Sequence, residues 1–251
     1  MNDCNIDLPP KEIFDGMKKN IHNTFPISVQ SSIDRHYLSS RRKLFIILNT
    51  INRALSFKSR TFFLCAYYLD LVHLSKKVLE YKTDLLGLAC LVIATKVCEN
   101  DPEVPLLKYF LEVYNMITDY KKEFTIDDLS SAELYVIKLL NHKINFYTIY
   151  DFNSFFFNNG IVKIEQLEDI DNTTTNENSS RRRYSDSNNE QDYSLKIKNI
   201  LEQMYRKSRY YIDIIVNRTN LCFKYNSLVL SLHIIEKKII EVLGNEQKIS
   251  T

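Results

Sequence analysis

The stretch Asp84–Glu99, which reads DLLGLACLVIATKVCE, decides the fold. It contains no proline, and apolar residues such as Leu85, Leu88 and Val92 cover almost the whole circumference of the helix that it predicts. A helix that is apolar on nearly all sides is a buried helix, because a surface helix keeps one polar face. Burying each Leu, Val or Ile stabilises a fold by about 1.5–3 kcal/mol. The sequence therefore predicts that this helix lies at the centre of the core.

One glycine, Gly87, lies inside this predicted helix. Glycine in a helix interior costs about 1 kcal/mol relative to alanine, so its presence indicates a close approach by another helix. The charged residues Asp84, Lys96 and Glu99 leave fewer than about 18 uninterrupted apolar residues, which is too short for a transmembrane helix.

The composition of the whole chain favours helices throughout. Of 251 residues, 45% are hydrophobic, and there are only 4 glycines and 5 prolines. So few helix-breaking residues, combined with long stretches of helical periodicity, predict an all-α protein. The formal net charge of +2 gives no electrostatic basis for a dedicated nucleic-acid-binding protein, and we expect no direct contact with nucleic acid.

Sequence patterns of catalytic and metal-binding sites are absent. The chain has no glycine-rich phosphate loop, no HExxH and no GxSxG. Its 5 cysteines are irregularly spaced and are interpreted as reduced, buried thiols of an intracellular protein, while its 5 histidines are scattered. We therefore expect a protein that is not an enzyme and has no metal and no cofactor.

Polar stretches separate the predicted helices. The first helix is expected over Lys11–Asn23, and Ser39–Ser40 is expected to cap a second helix that begins at Arg41. Residues Glu165–Asp192 are polar and aperiodic, which predicts a disordered insertion. Within it, the stretch Arg181–Ser185 resembles a site phosphorylated by basophilic kinases. The run Arg181–Arg183 could also be a weak nuclear signal, or the stretch could simply be a solvated loop.

Three ionisable residues interrupt apolar helix faces, namely Asp70, Lys96 and Glu133. Charged side chains are almost never fully buried unless they are paired. The pattern alone leaves two interpretations open: each side chain reaches solvent from the edge of its helix, or each has a partner.

The order and spacing of these residues resemble the cyclin box. Arg41, Asp70, Leu85, Lys96 and Glu133 fall at the family's hallmark positions in the first, second, third and fifth helices of the box. The sequences around these residues also resemble those of the family's second, third and fifth helices. The matching stretches are TFFLCAYYLD, DLLGLACLVIATKVCE and ELYVIKLLNHKINFYTIYDFNSFF.

The resemblance implies an all-α cyclin fold. It implies a tail and short helix over residues 1–38, a five-helix cyclin box over 39–146, and a reduced second cyclin-like repeat over 147–251 with the disordered insertion at about 165–192. It further implies that Lys96, Glu133 and Leu85 bind a kinase, and that Arg41 and Asp70 form a structural pair.

The function implied by the resemblance is that of a non-catalytic subunit that activates a cyclin-dependent Ser/Thr kinase as a heterodimer in the nucleus, without a membrane. The long stretch between Lys96 and Glu133 is similar to transcription-type cyclins of the K, L, C and H kinds, although a cell-cycle role stays open. The chain lacks a substrate-docking MRAIL motif and has Cys98–Glu99 where the family often has paired acids. The alternatives are an adaptor like transcription factor IIB and a degenerate scaffold cyclin.

Overall fold

Helices form all of the regular secondary structure that the described residues contain. The computed structural model of the chain describes residues 10–22, 35–75, 81–119, 124–159, 187–218, 225–235 and 237. The α-helices are α1 (Pro10–His22), α2 (Arg35–Ala54), α3 (Ser59–Leu74), α4 (Thr83–Cys98), α5 (Leu107–Thr118), α6 (Ile126–Leu139), α7 (Ile149–Asn158) and α8 (Ser187–Arg218). A 3-10 turn spans Asp101–Glu103, and a short helix spans residues 227–235. The predicted all-α fold is confirmed.

Helix α4 is the centre of the core. It packs against α2, α3, α5 and α6, and every residue from Leu85 to Thr95 is buried. The Thr95 hydroxyl, which would otherwise be an unpaired buried donor, donates to the Leu91 carbonyl one turn earlier at 2.8 Å. The prediction that this stretch forms a buried central helix is confirmed.

Gly87 lies where α2 approaches α4. A Cβ atom at this position would lie 3.2 Å from Leu48 Cδ1 and 3.3 Å from Leu44 Cδ1, both on α2. These distances are shorter than ordinary van der Waals contact, so the glycine permits the close approach. The prediction of a helix crossing at Gly87 is confirmed.

Helix α2 begins at Arg35, so the predicted start at Arg41 is wrong. Ser39 and Ser40 do not cap the helix; their hydroxyls donate to the His36 and Tyr37 carbonyls in the preceding turn, at 2.7 Å and 3.2 Å. Serine can satisfy its hydroxyl inside a helix in this way, and the buried Tyr37 ring anchors the additional turn.

Two helices begin with reciprocal capping boxes. The Thr125 hydroxyl accepts from the Asp128 backbone N–H, and the Asp128 carboxylate accepts from the Thr125 backbone N–H; Thr148 and Asp151 repeat the arrangement at α7. Hydrogen bonds from the Thr125 side chain and backbone lower the pKa of the Asp128 carboxyl. The predicted start of α6 at Thr125 is confirmed.

A second, smaller hydrophobic cluster forms beside the first. Met17 of α1, Phe152 and Phe156 of α7 and Ile235 of the 227–235 helix pack together, and the rings of Phe14 and Phe155 stack. Helix α8 joins the clusters, since it packs on both α7 and α2.

The predicted disordered insertion is too long at its C-terminal end. Helix α8 begins at Ser187, so residues 187–192 are helical; residues 165–186 lie outside the described residues. Residues 187–192 are asparagines, acidic residues and other polar residues, so they show no apolar helical periodicity. The first turns of this helix were therefore not predicted, because its apolar positions begin only at Leu195.

Substituting valine at each of two helical glycines tests the close approach. Gly87→Val should lower the free energy of unfolding by about 1–3 kcal/mol, because the added methyl groups overpack against Leu44 and Leu48. Gly16→Val is the matched control, since nothing lies within 4 Å of its added Cβ, and it should be neutral or slightly stabilising. Urea denaturation of both variants measures the difference; equal effects would contradict the packing.

Candidate functional site

Lys96 and Glu133 form an ion pair between two packed helices. Lys96 lies in the last turn of α4 and Glu133 lies on α6, and the Lys96 ammonium donates to Glu133 Oε1. The Lys96 side chain is 50% exposed, whereas that of Glu133 is 12% exposed. The structure therefore resolves the open choice for these residues: they are partners, and the lysine also reaches solvent.

The exposed side of this pair can bind a protein partner. An ammonium group has three N–H donors, and the hydrogen bond to Glu133 uses one of them. On the same helix as Glu133, Ile126 and Leu134 are 49% and 52% exposed, so apolar surface accompanies the charges. A partly buried charge pair on a helix with exposed apolar residues is suited to protein recognition, since the charges orient a partner whose apolar groups supply contact area.

Leu85, expected to bind a partner, lies instead in the hydrophobic core with 4% of its surface exposed. A direct contact through it would involve only the edge of its side chain. Its packing contributes to fixing α4, and α4 carries Lys96.

Arg41 and Asp70 form a bidentate, buried ion pair between α2 and α3. Arg41 Nε lies 2.8 Å from Asp70 Oδ1, and Arg41 Nη2 lies 2.7 Å from Asp70 Oδ2. The side chains are 4% and 6% exposed. The Tyr37 hydroxyl also donates to Asp70 Oδ1 at 2.7 Å, and burial, together with the Asp70 charge, raises the pKa of Tyr37. The structure thus brings the two residues together as a pair in the fold.

Arg41 has a further partner that the sequence did not indicate. Its Nη1 donates to the Val216 carbonyl at 2.6 Å, near the end of α8. A cation at a helix C-terminus satisfies an unpaired carbonyl and interacts favourably with the helix dipole. One guanidinium therefore connects α2, α3 and α8.

Glu99, which follows Cys98 at the place of the family's paired acids, faces inward. Its Oε1 accepts from the Lys58 backbone N–H at 2.8 Å and from the Thr61 hydroxyl, and its side chain is only 3% exposed. Lys58 is the N-cap residue of α3 and has no side-chain cap of its own. Glu99 therefore caps α3 from another part of the chain, a role that local sequence patterns do not reveal.

Cys98 packs at the edge of the main hydrophobic core, beside Arg60. Arg60 Nη1 is 3.7 Å from Cys98 Sγ, and Arg60 Nε is 2.5 Å from Asp151 Oδ1 on α7. Burial raises the pKa of the Cys98 thiol, against the lowering effect of the neighbouring Arg60. Cys65 and Cys90, which are fully buried, also have raised pKa values because of burial. These three described cysteines are free thiols.

The described residues contain neither a metal-binding cluster nor a membrane-spanning helix. Across the parts of the chain that the structure describes, no three His, Cys, Asp or Glu residues gather as a metal site would require. Within those same parts, every helix is too short or too polar to span a bilayer.

Comparison with known proteins gives one family. The family described as "Cyclin, N-terminal domain" matches residues 12–145, which is more than half of the chain. The match contains the helices from α2 to α6 and all of the hallmark residues, Arg41, Asp70, Leu85, Lys96 and Glu133. A comparison with curated proteins found no match.

Removing Asp70 tests whether the buried pair holds the fold. Asp70→Ala should lower the free energy of unfolding by about 3–5 kcal/mol, because Arg41 then stays buried without its counter-ion. The matched control is Glu202→Ala, which breaks the exposed pair with Arg206 and should cost under about 1 kcal/mol. Denaturant titration with circular dichroism compares them, and equal midpoints for Asp70→Ala and wild type would exclude a structural role for Asp70.

Proposed function

Because this chain belongs to the cyclin family, we propose that it is a non-catalytic regulatory subunit that binds and activates a cyclin-dependent Ser/Thr protein kinase. The observation that carries the proposal is the Lys96–Glu133 pair. These residues come from neighbouring helices, are hydrogen-bonded to each other, and leave the lysine half exposed. The partner is a kinase that forms a heterodimer with this chain.

The packing of α4 supports a mechanism based on a rigid surface. Helix α4 is surrounded by α2, α3, α5 and α6, so the positions of Lys96 and Glu133 are fixed before a partner binds. A preorganised surface loses less conformational entropy on binding than a flexible one. Such a surface holds the regulatory C-helix of the kinase in its active position. In that position the kinase's own Lys–Glu ion pair and its own metal-binding Asp are aligned for catalysis.

Activation in this proposal is a population shift. The chain binds the active conformation of the kinase more tightly than the inactive one, and this difference in affinity sets how far the equilibrium moves. No residue of the chain takes part in phosphoryl transfer.

We also propose that the chain is of the transcription-associated type, with a nuclear location, and that residues after 146 form a reduced second repeat. The segment between Lys96 and Glu133 supports the first part, because it accommodates the 3-10 turn and the whole of α5. Helices α7 and α8 and the 227–235 helix support the second part, since α7 and the 227–235 helix share the smaller cluster and α8 packs on α7.

A scaffold that binds a kinase without activating it is the second candidate. The inward position of Glu99 favours it, because the 3% exposed carboxylate is engaged in capping α3 and does not add a second acid to the binding surface. The adaptor alternative, in which promoter DNA replaces the kinase, has only the net charge of +2 to attract nucleic acid.

Removing the ion pair tests the proposed function. The double change Lys96→Ala with Glu133→Ala should leave the helical spectrum close to that of wild type, because the lysine is half exposed. Each lost hydrogen bond to a charged group costs about 1.5–3 kcal/mol, so kinase binding should weaken on the order of a hundredfold or more. Titration against the co-purified kinase measures binding, and phosphorylation of a peptide measures activation.

The control replaces another ion pair. Glu202→Ala with Arg206→Ala removes an exposed salt bridge on α8 and should leave binding unchanged. A folded Lys96/Glu133 double variant that binds and activates as well as wild type would refute the assignment. Kinase binding by wild type without activation would identify the scaffold instead, and retention of promoter DNA without a kinase would identify the adaptor.

A further inference from the structure

A groove runs between α2 and α8, on elements that do not carry the Lys96–Glu133 pair. It consists of two adjoining hollows of about 300 Å³ each, which share Asn49 and Arg53 of α2 and Tyr210 and Asp213 of α8. None of its lining residues belongs to α4 or α6. The groove is therefore a second surface, distinct from the one proposed to bind the kinase.

Positive charge predominates along this groove. Arg42 and Arg53 line it from α2, and Arg206 and Arg209 line it from α8; Asp213 is the one acidic residue among those that line it. Burial raises the pKa of the Asp213 carboxyl, against the lowering effect of Arg53 and Arg209. A ligand that bears several negative charges complements such a surface.

Arg209 is held in position before any ligand binds. Its Nη2 donates to the Ser59 hydroxyl at 2.5 Å, and its guanidinium lies over the rings of Tyr150 and Tyr205, at 5.4 Å and 5.8 Å from their centroids. Arg206, by contrast, is an exposed side chain that pairs with Glu202 on its own helix. The groove thus combines an anchored arginine at its inner side with an exposed arginine at its rim.

The inner hollow also contains an unpaired acceptor. Asn52, which lines it, is only 2% exposed. Its Nδ2 donates to the Phe57 and Lys58 carbonyls, at 3.4 Å and 3.2 Å, but its Oδ1 has no hydrogen-bond partner among the residues that the structure describes. Because this oxygen is itself buried, it gives the wall of the hollow polar character but offers no direct contact to a ligand.

We propose that this groove binds a short segment of a partner protein that is rich in Asp and Glu. Acidic side chains would contact the arginines, and apolar atoms would pack on Ile46 and Tyr210, which are 55% and 61% exposed. From Arg42 to Arg53 the groove follows α2 for about 16 Å, given a rise of about 1.5 Å per residue. That length accommodates about five residues of extended chain.

This inference goes beyond the proposed function and does not depend on it. A segment bound here leaves the Lys96–Glu133 surface uncovered, so the chain could hold a partner protein and a kinase at the same time.

Fluorescence anisotropy with the full chain and no kinase tests the groove. The probe is a labelled, end-capped hexapeptide of alternating Asp, Glu and Leu, and its neutral counterpart carries Asn and Gln in place of the acids. Wild type should bind the acidic peptide about tenfold or more tightly than the neutral one, and the affinity should fall as salt rises. Arg53→Glu, a change at an exposed side chain, should weaken binding by about tenfold or more.

The control is Lys138→Glu, which reverses an exposed charge on α6 and should leave the affinity within about twofold of wild type. Equal binding of both peptides would overturn the proposal, as would equal losses in Arg53→Glu and Lys138→Glu, since these would reflect overall charge alone. Binding only of a version of the peptide that carries phosphoserine in place of its acids would also overturn it. Circular dichroism of each variant confirms that the compared proteins are folded.

Discussion

The fold depends on the hydrogen bonds made by one buried guanidinium group, that of Arg41. Arg41 is 3% exposed, and a charge removed from water at that depth is tolerated only when its donors are satisfied. Asp70 accepts two of these hydrogen bonds and the Val216 carbonyl accepts a third. Arg41 lies on α2, and these acceptors belong to α3 and α8. This one side chain therefore fixes the three helices relative to one another.

Elements whose physical cause is local could be predicted from the sequence. The apolar circumference of α4, the glycine at its crossing with α2 and the Thr125 cap of α6 follow from spacing and residue type. The start of α2 could not, because Tyr37 stabilises an additional turn by packing that periodicity does not display. The start of α8 was missed for a related reason, since its first residues are polar.

The candidate site likewise contains some features that could be predicted from the sequence and others that could not. The resemblance singled out Lys96 and Glu133 on the third and fifth helices as residues that bind a partner, whereas their pairing with each other is visible only in the structure. The contacts of Arg41 with Val216 and of Glu99 with Lys58 join residues that are far apart in the sequence and share no local pattern. Such contacts are set by tertiary packing, so they become visible only in the structure.

The central claim is that the exposed side of Lys96 is covered when the kinase binds. Reductive methylation of lysine amines, followed by mass spectrometry of peptides from the free chain and from the kinase complex, measures this directly. Lys96 is 50% exposed in the free chain and should become protected in the complex, while Lys43, an exposed residue on α2, should react equally in both states. Equal modification of Lys96 with and without the bound kinase would contradict the claim.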